Sequence, residues 1–235
     1  MSDNAKDQLM KAIHASDVDT ARKVLDGDVD VNTYFPWSDP FLQAAAEGGN
    51  EKMCALLLDR GADVEARGAG GMCALHDAAE RGHVEIVALL LEHGADIEAR
   101  DDDLWTALHY SEGKATPYLL ARGASVDLQS STAFFWRSGC TPLYIAACDS
   151  RCDKIEHLLN WGANIEAVDD YSGHTPLHQA AVESKTDVLA LLLRRGATIN
   201  RSVAAGGTPL SGCLKEEGRA LLLHEGVVRC LASIM

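Results

Sequence analysis

The chain has 235 residues, 47% of them hydrophobic, and a formal net charge of −14 from 35 acidic and 21 basic side chains. Because like charges repel, this acidity argues against a nucleic-acid partner and favours a basic or cationic one, although acidity can also serve only to keep a chain soluble. The N-terminus lacks the apolar segment of a secretion signal, and no apolar run could cross a bilayer. We therefore expect no membrane contact.

The cysteines give no sign of a disulfide framework or a metal site. Seven are scattered along the chain, which indicates reduced thiols and a cytoplasmic or nuclear location. Cys148 and Cys152 lie four residues apart with Cys140 nearby, but no CxxC pair or histidine partner completes a zinc site. No glycine-rich phosphate loop or nucleophile elbow is present either, so we predict neither metal nor cofactor.

The clearest structural unit covers residues 71–100 and predicts two short helices followed by an extended tail. Gly82 falls where the first helix must end with a positive φ, which glycine adopts without strain. The second helix, residues 84–91, has an apolar face too wide for a lone surface helix, and Gly94 ends it. Such a helix pair cannot bury its core alone, so neighbouring copies are expected.

The leucine of the first helix recurs every 33 to 35 residues, at Leu9, Leu42, Leu75, Leu108, Leu143, Leu177 and Leu210. With the sequences 141-TPLYIAA-147 and 175-TPLHQAA-181, this period resembles the ankyrin repeat family. The resemblance covers nearly the whole chain. It implies an all-α solenoid of stacked helix–turn–helix units with β-turn or hairpin fingers, as a single domain over residues 1–235.

The two terminal copies are degenerate, and we expect them to form polar-faced caps over residues 1–33 and 207–235. Gly226 is predicted to end the second helix of the last copy, with an apolar last helix after it over residues 227–235. A threonine two residues before the leucine is predicted to cap the first helix at four positions: Thr106, Thr141, Thr175 and Thr208. Pro40 and Cys73 replace this threonine in copies two and three, which should cost about 1 kcal/mol each.

Three histidines follow the repeat leucine directly: His76, His109 and His178. The resemblance implies that they are structural hydrogen-bonding groups that tie one turn to the next. The alternative is that His109 contributes to acid–base chemistry.

The fourth copy departs most from the pattern, and the irregular segment covers about residues 104–140. From leucine to stop glycine it has 15 residues, Leu108 to Gly123, where its neighbours have 19, so about one helical turn is missing. We expect 116-TP-117 to start the shortened second helix. A longer loop follows at 129–138, and irregularity of this kind in a regular array is where function is expected.

The fingers combine aromatic and acidic residues, which suit a lysine, arginine or quaternary ammonium group. Together with first-helix residues on the expected concave face, they form the predicted binding set: Tyr34, Phe35, Trp37, Asp77, Asp101, Asp102, Asp103, Trp105, Tyr110, Phe134, Phe135, Trp136, Tyr144 and Tyr171. The alternative for residues 134–136 is that they fold inward and fill the gap left by the missing turn.

The sequence therefore favours a non-catalytic module that binds a protein or peptide partner with basic groups. The alternative is an enzyme or small-molecule-binding protein with a pocket at the fourth copy and the 129–138 loop. In that case Trp105, Tyr110, Tyr144 and Trp136 would wall the pocket, and Asp77, His109 and Tyr110 would be the candidate catalytic groups. A third reading, an adaptor with an added C-terminal box, finds no convincing match in residues 218–235.

Overall fold

A computed structural model describes residues 3–27, 29–33, 38–131, 138–202, 207–213 and 216–232, with side chains as far as His224. Every regular element in these ranges is a helix, which confirms the all-α prediction. The chain packs as two compact units, Met1–Ala124 and Ser125–Met235.

The first unit is built from four helix pairs in two layers. The first helices α1, α3, α5 and α7 pack on one another in chain order, and the second helices α2, α4, α6 and α8 do the same. A single 3₁₀ turn, Ala69–Gly71, lies in the finger before α5. The bounds are α1 (Asp3–His14), α2 (Val18–Leu25), α3 (Phe41–Glu47), α4 (Glu51–Asp59), α5 (Ala74–Glu80), α6 (Val84–Glu92), α7 (Ala107–Tyr110) and α8 (Ala115–Ala121).

The second unit repeats this arrangement with three pairs. Helices α9, α11 and α13 pack in one row, and α10, α12 and α14 in the other. The bounds are α9 (Pro142–Cys148), α10 (Cys152–Asn160), α11 (Pro176–Val182), α12 (Thr186–Arg194), α13 (Pro209–Gly212) and α14 (Glu216–Ala232).

The repeat leucines form the core of both units, because six of them, from Leu9 to Leu177, are at most 3% exposed. Leu210, in the short helix α13, is half-buried. The predicted threonine caps are present in the second unit, where the hydroxyls of Thr141, Thr175 and Thr208 each accept the N–H of the residue three positions on. Pro40 makes no side-chain capping bond.

The fourth copy is shortened in both helices, mainly in the first. Helix α7 has 4 residues where α5 has 7, and α8 has 7 where α6 has 9. The chain leaves α7 at the buried Ser111, whose hydroxyl donates to the Leu108 carbonyl and lies 2.9 Å from Thr116 Oγ1. Helix α8 starts at Ala115 rather than at Thr116, so Pro117 lies in its first turn. A backbone N–H in the first turn has no acceptor within the helix, so a proline there costs no hydrogen bond.

The last copy differs from expectation, because α14 continues through Gly226 as one helix of 17 residues. The prediction that Gly226 ends a helix was therefore wrong. A glycine inside a helix costs only about 1 kcal/mol relative to alanine, so helical neighbours on both sides outweigh it.

Four fingers are closed at their base by a backbone hydrogen bond, and no strand occurs within the described ranges. The closing N–H to carbonyl bonds run from Gly68 to Met72, Asp101 to Trp105, Ser130 to Cys140 and Asp169 to His174. Adjacent fingers are joined in the same way, from Asp102 N–H to Gly70 in the first unit and from Asp170 N–H to Ser138 in the second.

Leu90→Ala tests the core of the first unit. Leu90 on α6 is fully buried, so its truncation leaves a cavity and should lower the free energy of unfolding by about 2–5 kcal/mol. Leu91→Ala, on the same helix but half-buried, is the matched control and should cost clearly less. Urea unfolding of both variants measures the difference, and equal costs would refute the assigned helix orientation.

Candidate functional site

Asp101 organises the finger before the fourth copy. It is 5% exposed, and its Oδ1 accepts the N–H groups of Asp103 and Trp105 at 2.9 and 2.8 Å. Its Oδ2 accepts the Tyr110 hydroxyl at 2.6 Å. Because both carboxylate oxygens are engaged within the finger, Asp101 holds the finger in shape. Asp102 is exposed and Asp103 half-buried, so they keep the acidic character that the sequence predicted for this finger.

The sequence led us to expect Trp105 on the surface of the finger, but this side chain is buried, with only 7% of its surface exposed. Its ring packs 5.0 Å from that of Tyr110 and 5.6 Å from that of His109. Tyr110 is half-buried, and burial, followed by its bond to Asp101, raises the pKa of its hydroxyl. These residues therefore form a packed cluster beneath the finger.

The three histidines act as structural groups, as the resemblance implied. The Nδ1 atoms of His76, His109 and His178 accept the N–H at the start of their own helices, from Cys73, Thr106 and Thr175. The Nε2 atoms of His76 and His178 lie 3.1 and 2.9 Å from carbonyl oxygens of the following copy. His109 is 1% exposed and makes the same Nδ1 hydrogen bond as His76 and His178. This arrangement does not favour a catalytic role for His109.

Cys73 replaces the expected threonine without leaving its helix uncapped. Its Sγ lies 3.1 Å from His76 Nδ1, and its N–H donates to the same nitrogen. Burial raises the pKa of the Cys73 thiol, which keeps it protonated and unreactive.

Asp77, on α5, is a buried carboxylate with an unusual environment. It is 9% exposed, and within the described structure its Oδ2 and the Oε1 of the neighbouring Gln43 have no hydrogen-bond partner. Burial raises the pKa of Asp77 to about 7. A hydrogen bond from Gln43 acts to lower this pKa, whereas the nearby carboxylates of Glu47, Asp39 and Glu80 act to raise it. A carboxyl so enclosed is not available as a surface contact.

Six of the predicted aromatic anchors cannot be assessed, because they lie outside the described residues. They are Tyr34, Phe35, Trp37, Phe134, Phe135 and Trp136.

A pocket of 490 Å³ lies in the second unit, between helices α9 and α11 and the finger 169–174. Tyr144 and Tyr171, both predicted as binding residues, lie on it. Tyr144 is 5% exposed, with its hydroxyl 3.2 Å from Gln179 Oε1, whereas Tyr171 is 67% exposed. The described lining residues include three carboxylates and neither lysine nor arginine: Tyr144, Ile145, Cys148, Asp149, Asp169, Tyr171, Ser172, His174, Gln179 and Glu183.

The three carboxylates of this pocket differ in how free they are. Asp169 is 3% exposed and accepts the N–H groups of Ser172 and His174, so it supports the finger as Asp101 does. Asp149 and Glu183 are exposed at the ends of α9 and α11. They lie 3.8 and 2.6 Å from the nearby cations of Arg151 and Lys185.

Sequence reasoning missed Asp149 and Glu183, although a signal for them exists. Both stand six residues after a repeat leucine, in adjacent copies, and this position holds Gly48 and Arg81 in copies two and three. A register-by-register comparison of the copies would have picked out the pair.

The described residues hold no group of three or more histidine, cysteine, aspartate or glutamate side chains that could bind a metal ion. The cysteines in those ranges, such as Cys54 and Cys148, form no disulfide. None of the helices described has both the length and the apolar character that a bilayer-spanning segment needs.

Asp77→Asn should stabilise the protein in a pH-dependent way. Because the folded pKa lies above the unfolded value of 3.8, the unfolded state releases its proton first, and wild-type stability falls as the pH rises from about 4 to 7. We expect the variant to gain roughly 1–3 kcal/mol at pH 8 and nothing near pH 4. Urea unfolding across this range tests it, with the exposed Asp59→Asn as control. A gain that does not depend on pH would contradict the raised pKa.

Comparison with known proteins agrees with this architecture. The crystal structure of the human ASB11 ankyrin repeat domain is 26% identical, covers 92% of this chain and 96% of that chain, and superposes with a TM-score of 0.81. The ankyrin repeat domain of Bcl-3, described as a unique member of the IκB protein family, is also 26% identical, with coverages of 92% and 97% and a TM-score of 0.76.

No curated protein matches the chain closely enough in sequence to count as a relative. The family model described as "Ankyrin repeats (3 copies)" matches residues 9–101, 69–130 and 104–203. Since these segments span most of the sequence, the chain belongs to the ankyrin repeat family, which supports a protein-binding role for it.

Proposed function

We propose that the chain is a non-catalytic interaction module that binds a lysine or arginine side chain of a protein or peptide partner in the pocket of its second unit. The observation that supports this most is the lining, in which three carboxylates face two tyrosines. A cation placed there gains both charge attraction and contact with aromatic faces. The overall charge of −14 attracts a basic partner from a distance.

Asp149 and Glu183 are the residues proposed to contact the partner's cation directly. Their present cation partners, Arg151 and Lys185, are partly exposed, and surface pairs of this kind contribute only about 0–1 kcal/mol. Exchange of either pair for a partner's lysine or arginine is therefore inexpensive. Asp169, held by its internal bonds, adds negative charge without needing to move.

The role proposed for the tyrosines differs between the two. Tyr171 is largely exposed at the finger, where it is free to stack on an incoming guanidinium or aliphatic stem. Tyr144 is buried and linked to Gln179, so it forms a fixed wall. The acidic first-unit finger, Asp102 and Asp103, is proposed as a further part of the binding surface. Because the described cysteines form no disulfide, we propose that this activity belongs to the cytoplasm or nucleus.

A second candidate function is binding of a small cationic molecule in the same pocket. Its volume of 490 Å³ falls within the range of about 300–1,000 Å³ that is usual for small-molecule sites. We therefore propose this alternative for copies five and six rather than for the fourth copy, where Trp105, Asp101 and His109 are engaged in internal packing and hydrogen bonds.

The test compares two double variants with the same change in net charge. Asp149→Asn/Glu183→Gln neutralises the pocket, and Asp153→Asn/Glu156→Gln neutralises exposed positions on α10. Binding of fluorescein-labelled dodecapeptides rich in lysine or arginine is followed by fluorescence anisotropy. We expect the pocket variant to weaken binding about tenfold, equivalent to ~1.4 kcal/mol, and the α10 variant to have little effect. Added salt should weaken wild-type binding.

Two outcomes would contradict the proposal. Equal losses of peptide affinity in both variants would mean that only net charge matters. If the wild type bound none of the peptides, a basic partner would be ruled out. A thermal-shift screen of small amines covers the second candidate, which gains support if an amine stabilises the wild type but not the pocket variant.

A further inference from the structure

The residue four positions before the repeat leucine has a left-handed backbone conformation in all four fingers between copies two and six. The φ angles are +71° at Gly71, +57° at Leu104, +72° at Gly139 and +67° at Gly173. Three of these four positions hold glycine, which adopts this conformation without strain. Leu104 is the exception.

A leucine at this position is unfavourable for the backbone. Its Cβ crowds the following carbonyl oxygen in the left-handed region, and among non-glycine residues it is asparagine and aspartate that tolerate the conformation best. The other three fingers avoid this strain with glycine. Backbone strain that is kept at one position points to a function of the side chain there.

The Leu104 side chain is not needed to hold the finger together. It is 37% exposed, whereas the next residue, Trp105, is 7% exposed and fills the space beneath the finger. The turn is fixed through the backbone, since the Leu104 N–H donates to the Asp101 carbonyl and the Asp101 carboxylate accepts two further N–H groups. The finger therefore displays an apolar side chain on a rigid, well-bonded turn.

The surroundings of Leu104 specify the chemistry of what it can contact. Asp102 is exposed and Asp103 half-buried, so the apolar tip stands beside two carboxylates. Asp102 is held in place by its N–H, which donates to the Gly70 carbonyl at 3.0 Å. An apolar tip bordered by fixed negative charge complements an apolar recess bordered by positive charge.

We propose that Leu104 is a contact residue of this protein, and that it inserts into an apolar recess flanked by lysine or arginine side chains on a protein partner. The basic character of the partner rests on the proposed function, but the contact lies on the first unit and does not involve the pocket. The leucine is thus a specificity-determining residue that the scaffold carries at a cost in backbone strain.

The test separates contact from strain by comparing two glycine substitutions. Leu104→Gly removes the side chain and relieves the strain, while Ser16→Gly relieves a left-handed residue with φ +57° between α1 and α2, outside both the fingers and the pocket. A phage library of random dodecapeptides is selected on the wild-type chain, and each enriched peptide is titrated against both variants. We expect peptides that combine apolar residues with lysine or arginine, and at least a fivefold loss of affinity with Leu104→Gly alone.

Thermal unfolding accompanies the titrations. Leu104→Gly should unfold at the same temperature as the wild type or higher, because the strain is relieved and the side chain that is removed is an exposed one. A marked drop in the midpoint would make the leucine structural and overturn the inference.

The binding results separate this inference from the proposed function. Peptides that lose affinity on neutralising Asp149 and Glu183, but bind Leu104→Gly as they bind the wild type, would overturn the role of Leu104 and leave the pocket intact. A selection with no Leu104-dependent peptide overturns the inference. Leu104-dependent peptides that carry no basic residue overturn the proposed partner chemistry.

Discussion

A buried imidazole at the start of the first helix is the constraint on which the helix-to-finger connection of the third and sixth copies depends. In His76 and His178 the Nδ1 atom accepts the N–H at the start of the helix, so Nε2 carries the ring proton and donates to the carbonyl of Trp105 or Arg201 in the following copy. This geometry requires the neutral ring, and burial lowers the pKa of both histidines accordingly. Each such ring therefore joins one copy's helix to the next copy's finger.

Residue types that suggest catalysis serve this framework, and the contacts proposed for a partner fall on exposed residues. His109 accepts the N–H at the start of its own helix, and Asp101 accepts the Tyr110 hydroxyl. Asp169 supports its finger in the second unit as Asp101 does in the first. By contrast, Asp149, Glu183, Tyr171 and Leu104 are exposed. The proposal assigns partner contacts to these exposed positions, which leaves the buried framework of the copies unchanged.

The sequence was sufficient for the parts of the fold that depend on local spacing. The repeat leucines, the threonine caps of the second unit and the shortened fourth copy all follow from period and residue type, and the structure contains them. It was insufficient where a neighbour decides the outcome. Trp105 was expected on the surface because it lies in a loop, but its ring packs on His109 and Tyr110 of α7 and is buried there. The pocket depends on how the finger 169–174 lies against α9 and α11, which no local pattern encodes.

Long-range ¹H–¹⁵N correlation spectra of the imidazole rings test the central claim most directly, because they report tautomer and charge at each histidine. We expect His76 and His178 to stay neutral, with the proton on Nε2, through the range around pH 6.5 in which a free histidine titrates. The exposed His14 serves as an internal reference in the same spectra. A proton on Nδ1, or a charged ring at pH 7, would contradict the helix-to-finger connection.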